Sequence, residues 1–224
     1  DNPIQESVSY YTKMLEASRS ARDRKSEGLA CHRLGLIYSN VLKGQKAKAI
    51  DYLLEFERIC VELEDLHGRG EACAALASAY STDPNEVLSV SQGTLNRGVL
   101  SQEQIQKGIT AGSSDDNDTT AIQYLETYLQ IANQTENLPA QGAACCALGC
   151  IYNMRQNYEL AVSLFEKNFE IARSIVSAGA GDMRSVDESR VLLGMARGNF
   201  MIANMGGYVD AISGKENPDQ SIKN

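Results

Sequence analysis

No run of apolar residues in this chain approaches the about 18–20 that a bilayer span requires, and no signal-peptide pattern stands at its start. Membrane insertion is therefore not expected. Basic residues are not in excess: Lys and Arg number 21 against 29 Asp and Glu, for a net charge of −8. The longest basic cluster, Arg19 to Lys25, is interrupted by Asp23. A protein that tracks phosphates carries a basic stripe, so no nucleic-acid partner is expected. Histidine is scarce, with His32 and His67 the only 2. Neither sits in a motif with Ser or Cys for nucleophilic catalysis. The acidic run Glu55, Glu57, Glu62, Glu64 and Asp65 reads as a solvated helix face, and no carboxylate pair stands out from it. No strand pattern is evident, so no Gly-rich phosphate loop follows one. The chain is expected not to be an enzyme and to hold no cofactor or metal.

Six cysteines are present, but not at disulfide-framework spacings. Cys31, Cys60, Cys73, Cys145, Cys146 and Cys150 all fall inside helical patterns. That usage suggests a reducing compartment, and a cytoplasmic location. Cys146 and Cys150 stand one helical turn apart, yet no His or second Cys pair completes a zinc set. Apolar packing is the better reading for all six. Two glycosylation-like triplets, at Asn117 and Asn133, carry no weight without a secretory signal.

What the chain does have is internal repetition, which decides architecture before any local feature. Four stretches align on Leu34, Leu76, Leu148 and Leu193. One residue later stand Gly35, Ala77, Gly149 and Gly194. Three further on are Tyr38, Tyr80, Tyr152 and Arg197, and three before each Leu are Cys31, Cys73, Cys145 and Arg190. Each copy continues through a turn into a second helical stretch opening at Ala49, Ala121, Ala161 or Ala211. The Gly or Ala lets two helix backbones approach closely, while Leu and Tyr fill the space beside that contact. A single helix pair cannot bury both of its faces, so neighbouring pairs must stack.

These spacings predict one solenoid over residues 1–212 and a polar tail over 213–224. Residues 1–25 form a leading helix, with Asn2 as cap and Pro3 in the first turn. It looks like the second helix of a repeat whose first helix is upstream or removed. Repeat 1 occupies 26–66, repeat 2 occupies 67–138, repeat 3 occupies 139–181, and a partial repeat 4 occupies 182–212. Gly206-Gly207 should turn the chain into the second helix of the last copy. Repeat 2 carries an insertion at 81–118, in which Asp83-Pro84-Asn85-Glu86 and Ser101 to Gln104 resemble capping boxes for two short helices. The end of the insertion, Gly112 to Asp118, is polar and acidic and should be a mobile loop. Both a contact segment and a solvated spacer fit the insertion.

Leu34-Gly35…Tyr38…Gly44…Ala49, Leu148-Gly149…Tyr152…Tyr158…Ala161 and Leu193-Gly194…Gly206…Tyr208…Ala211 resemble the tetratricopeptide repeat. Copy two departs from the pattern with Ala77 and the insertion, and copy four with Arg190 and Arg197. The Leu34–Leu76 and Leu148–Leu193 intervals exceed the usual repeat of about 34 residues. Long helices with Gly/Asp-marked junctions are similar to those of the polarity-adaptor subfamily and of kinesin light chains. Ala196-Arg197-Gly198-Asn199 also looks like tetratricopeptide proteins of cilia and axonemes. The resemblance implies an all-α right-handed solenoid of stacked antiparallel helix pairs. It also implies a scaffold or adaptor for protein partners in the cytoplasm, with the cytoskeleton or a cilium as a further setting.

In such a fold the first helices line a concave groove. The positions that clamp a chaperone-tail carboxylate in this family correspond here to His32 and Leu36, Ala74 and Ser78, Cys146 and Cys150, and Val191 and Met195. None is Lys or Asn, so no carboxylate clamp is expected. The groove should be lined by small and apolar residues, with Arg33, Asn40, Glu71, Asn153, Glu188 and Asn199 as polar contacts. Such a groove suits a helix or an extended segment with apolar anchors. His32 is expected there as a partly exposed histidine without a partner. The alternative is a structural module that docks into a cytoskeletal or ciliary assembly through its ends and convex face.

Overall fold

The structure, a computed structural model, describes residues 3–42, 44–81 and 115–212, with the backbone alone for 115–116 and 206–212. The Asn2 cap, the two short helices expected within the insertion, and the polar tail at 213–224 lie outside the described residues. The described residues form α1 (Pro3–Ala21), α2 (Arg24–Asn40), α3 (Lys46–Glu62) and α4 (Leu66–Tyr80). They continue with α5 (Asp115–Gln134), α6 (Leu138–Met154), α7 (Tyr158–Ser177) and α8 (Met183–Ile212). Each helix packs against the next in sequence, and α2 also touches α4. The architecture is an all-α solenoid.

The tight junctions share one local solution. Arg22, Glu64, Glu136 and Gln156 all adopt positive φ, between 50 and 62°. The next residue of each junction is Asp23, Asp65, Asn137 or Asn157, and its N–H donates 2.9 Å back to a carbonyl of the preceding helix. Its side chain then accepts from the first turn of the following helix, as Asp65 does from the Gly68 N–H at 3.0 Å. A left-handed residue followed by an Asx cap thus closes one helix and opens the next. The junction leaves no slack, and consecutive helices fold back on each other.

The aligned residues form the seam inside each pair. Leu34, Leu76 and Leu148 are buried, and Ala49, Ala121 and Ala161 are fully buried. A Cβ added to Gly35 would meet Leu53 at 2.7 Å, and one added to Gly149 would meet Phe165 at 2.9 Å. Two turns earlier, the Cγ2 atoms of Ile59, Ile131 and Ile171 lie 3.1, 3.5 and 3.4 Å from the corresponding positions on Gly28, Gly70 and Gly142. A third contact also recurs. Tyr38 stacks on Tyr52 with ring centres 5.7 Å apart, and Tyr80 on Tyr124 at 5.8 Å. Glycine, isoleucine and tyrosine therefore set how close and at what register each second helix lies on its first.

Two expectations fail. Gly206 and Gly207 do not turn the chain, because α8 runs unbroken to Ile212. A helix-interior glycine costs only about 1 kcal/mol relative to alanine, and neither residue takes positive φ, unlike Gly44 and Gly179. Ala211 therefore sits near the end of α8 and does not open a second helix. Asp115 to Asp118 are not loop but the first turn of α5. Acidic residues in the first turn of a helix are favoured by the positive end of its dipole.

Candidate partner-binding surface

The expected groove residues fall on α2, α4, α6 and α8, and the structure divides them into three groups. In the first, Arg33, Leu36 and Asn40 on α2 join Ile4, Ser7 and Tyr11 of α1 in lining an open cleft of about 480 Å³. The α1 residues were not foreseen as part of a surface. The signal for them was the apolar spacing of α1, which reads equally well as plain burial.

The second group joins α2 to α4. His32 is half-buried and lies flat on Phe56, with ring centres 4.5 Å apart and planes 10° apart. Its Nδ1 is 3.9 Å from Glu71 Oε2, and His67 Nε2 approaches Glu71 Oε1 at 3.6 Å. The expected unpartnered histidine instead stacks on Phe56 and lies near Glu71, which the second turn of α4 places beside α2. Burial pulls the His32 imidazole below its ordinary value, although the Glu71 carboxylate opposes that. His32 is then a neutral ring at physiological pH, filling space between helices. Ala74 is half-buried nearby on α4, whereas Ser78 is buried and offers no contact surface.

The third group lies on α6 and α8. Asn199 donates to Asn153 Oδ1 at 3.1 Å and bridges the two first helices. Cys150 is half-buried beside Cys146, which is itself buried. Glu188 accepts from Arg184 on its own helix at 3.0 Å and lines a second cleft of about 400 Å³ between α6, α7 and α8. Val191 and Met195 are exposed on α8, and their apolar surface continues through Met201, Ile202 and Met205. That continuation was not foreseen from the sequence.

The cysteine chemistry follows from burial. Burial pushes the Cys31 thiol up to about 11 and those of Cys60 and Cys73 up to about 12. A hydrogen bond with Cys150, and burial after it, hold Cys146 protonated as well. A protonated thiol inside a helix seam is neither a nucleophile nor a metal ligand. Among the described residues no group of three or more His, Cys, Asp or Glu is placed to hold a metal ion, and no helix is long and apolar enough to cross a membrane.

Stacked pairs built on a Leu-Gly first helix and an Ala-led second helix define the tetratricopeptide-repeat class. Curated relatives agree. The chain is similar to tetratricopeptide repeat protein 29 of Macaca fascicularis, with 24% identity over 206 residues. To the Homo sapiens protein of the same name it has 22% identity over 206 residues. Each alignment covers 92% of this chain but only 35% of the relative. No protein-family profile matches the chain. The repeat, the fold and these relatives together support a family of the tetratricopeptide-repeat type.

Proposed function

We propose that the chain is a non-catalytic scaffold that holds a helical or extended segment of a partner protein against its first helices. The observation that carries this reading is the contact of side chains from neighbouring first helices, His32 with Glu71 and Asn153 with Asn199. Such contacts make the first-helix side one extended surface with open clefts, not a deep pit. An extended surface suits a polypeptide segment better than a small substrate. Arg33, Glu71 and Met195 are exposed on three different first helices and supply charge and apolar anchors for it.

The test is affinity purification from source cells with crosslinking, comparing wild type with a variant carrying Arg33→Glu, Glu71→Arg and Met195→Glu. Crosslinks from one co-purifying protein to α2, α4 and α6, lost in the variant while the circular dichroism is unchanged, are the expected result. An unchanged set of partners overturns the groove assignment.

A second reading has its own support. The exposed apolar residues of α8 favour a structural module held in a cytoskeletal or ciliary assembly through its ends. Partners that survive the triple variant and are enriched in filament components would favour it.

A further inference from the structure

We infer that the cleft between α6, α7 and α8 receives an aromatic side chain of a partner protein, with a basic residue next to it in the partner's sequence. This rests on the scaffold reading and deepens it, because it gives the chemistry of one anchor that the bound segment brings.

The argument starts from a ring that the third repeat lacks. Second helices share a register that opens at Ala49 in α3, Ala121 in α5 and Ala161 in α7. Two turns on, the same place holds Phe56, Tyr128 and Asn168. The Cδ2 atoms of Phe56 and Tyr128 each lie 3.5 Å from a Cβ position on the facing glycine, Gly28 or Gly70. In the third pair Asn168 Oδ1 takes that place, 3.3 Å from the position on Gly142. The neighbouring isoleucine contact is kept in all three pairs, so the helices stay in register and only the ring is gone.

The consequence is open space. Phe56 is 7% exposed and lies flat on His32 of its first helix. Cys146 stands at the His32 place on α6. Both Cys146 and Asn168 line the cleft of about 400 Å³. A ring that is built into the first pair is therefore missing from the third, and a cleft stands where it would lie. The connection into α8 helps to keep it open. Connections from a second helix to the next first helix span 22–23, 63–65 and 135–137, but 178–182 before α8. Gly181 and Asp182 of that longer connection line the cleft.

The walls suit a ring. Ala143 and Cys146 of α6, Ile171 and Ile175 of α7 and Leu192 of α8 supply apolar surface. A sulfur beside an aromatic ring is a favourable contact. No hydrogen bond engages the Asn168 amide among the described residues, so it is available to a polar atom of the guest. The charges select the neighbour of the ring. Arg184 lines the cleft and donates to Glu188 at 3.0 Å, which balances those two charges. Asp182 accepts from the Ser185 N–H through Oδ1 at 3.1 Å, and its negative charge is left over. A cation beside the ring complements that charge; an anion is repelled.

The test titrates the isotope-labelled 224-residue chain with capped dipeptides and follows its amide resonances. Phenylalanyl-lysine, acetylated and amidated, should shift Ala143, Cys146, Ile171 and Leu192 with a common saturating curve. Leucyl-lysine should bind about fivefold more weakly, as expected for loss of an aromatic contact. Phenylalanyl-glutamate should bind about threefold more weakly in low salt, and the difference should shrink as salt is added. Asn168→Phe restores the ring of the first pair. It should raise the thermal midpoint and abolish the shifts. Ala143→Leu narrows the cleft from the α6 side and should also abolish them with circular dichroism unchanged, which keeps the test decisive if Asn168→Phe does not fold. The Arg33→Glu, Glu71→Arg and Met195→Glu variant changes no cleft residue and should keep the shifts. No shift at the cleft with phenylalanyl-lysine overturns the inference, as do equal shifts with leucyl-lysine or shifts that persist in Ala143→Leu. Partners that are lost from the triple variant but retained by Ala143→Leu would leave the scaffold reading standing and remove the cleft from it.

Discussion

Leu53 lies so close to Gly35 that a Cβ at position 35 would stand 2.7 Å from both its Cγ and its Cδ2. The Cγ cannot swing away without moving the whole side chain, and the Ala49 carbonyl oxygen is 3.4 Å off on the same side. Gly35→Ala should therefore destabilise the fold by about 1–3 kcal/mol through overpacking. The same change at Gly194 meets open space and should stabilise by about 0.5–1 kcal/mol through helix propensity. Thermal unfolding of the two variants checks the contrast. Shifts of the same sign would refute the assignment of Gly35 as a close-approach position.

The junction residues give a second contrast. Gln156 and Glu64 hold φ of 62 and 54°, where a side chain is disfavoured by about 1–2 kcal/mol. Glycine removes that penalty but loses more entropy on folding. Gln156→Gly and Glu64→Gly should each raise stability by about 0.5–1 kcal/mol, less than the full strain. Urea unfolding reads this as a higher midpoint with an unchanged slope. A lowered midpoint would mean that the side chains make contacts worth more than the strain.

Glu27 gives the fold an acid-labile point. It is 5% exposed and accepts from Arg19 at 3.0 Å and from Arg24 at 2.6 Å. Burial pushes its carboxyl up, but the two guanidinium groups outweigh that and hold it below the usual 4.5. A carboxyl with a lowered folded value contributes stability that is fully present above its unfolded value. That stability is lost as the pH falls through the folded one. Wild-type stability should therefore decline below about pH 4.5, and Glu27→Gln should reduce the slope there. An identical slope in the variant would remove Glu27 from the cause.

His32 predicts a separate step at higher pH. Its folded value lies below the ordinary 6.5, with burial the main cause. The unfolded chain then binds the proton more readily, so stability is complete above about pH 6.5 and falls as the pH drops past it. His32→Gln should flatten the stability profile between about pH 7 and 5. Because His67 lies across Glu71, His67→Gln serves as the control and should leave most of that step in place.

The fold was readable because its seams repeat. Leu, Gly, Tyr and Ala at fixed offsets gave the helices their order before any contact was known. The left-handed junctions were not readable, since none of Arg22, Glu64, Glu136 and Gln156 is a glycine, asparagine or aspartate, the residues that favour the left-handed region, and only the Asx residue after each is a local signal. The unbroken α8 was misread because a glycine inside a helix costs only about 1 kcal/mol relative to alanine, so a Gly pair alone does not force a turn. Individual groove positions were half legible. Helix register placed His32 and Glu71 on neighbouring first helices, but the depth of Ser78 and Cys146 depends on how the pairs stack, and single-helix spacing does not carry that.

Thiol labelling distinguishes packing from chemistry at the cysteines. Cys31 and Cys73 are fully buried at equivalent places in the repeat, and Cys145 is 2% exposed at the third. Burial raises all three thiols, to about 11 for Cys31 and about 12 for Cys73. Low thiolate content and lack of access act in the same direction. In the native protein a thiol reagent should therefore reach half-buried Cys150 first. Cys31, Cys73 and Cys145 should react only as the stack opens, at a common rate set by unfolding. Adding denaturant below the unfolding midpoint should speed those three together while changing Cys150 little. Mass spectrometry of partly labelled protein resolves the sites. Rapid labelling of Cys31 or Cys73 under native conditions would contradict a seam role for this position and reopen a redox reading.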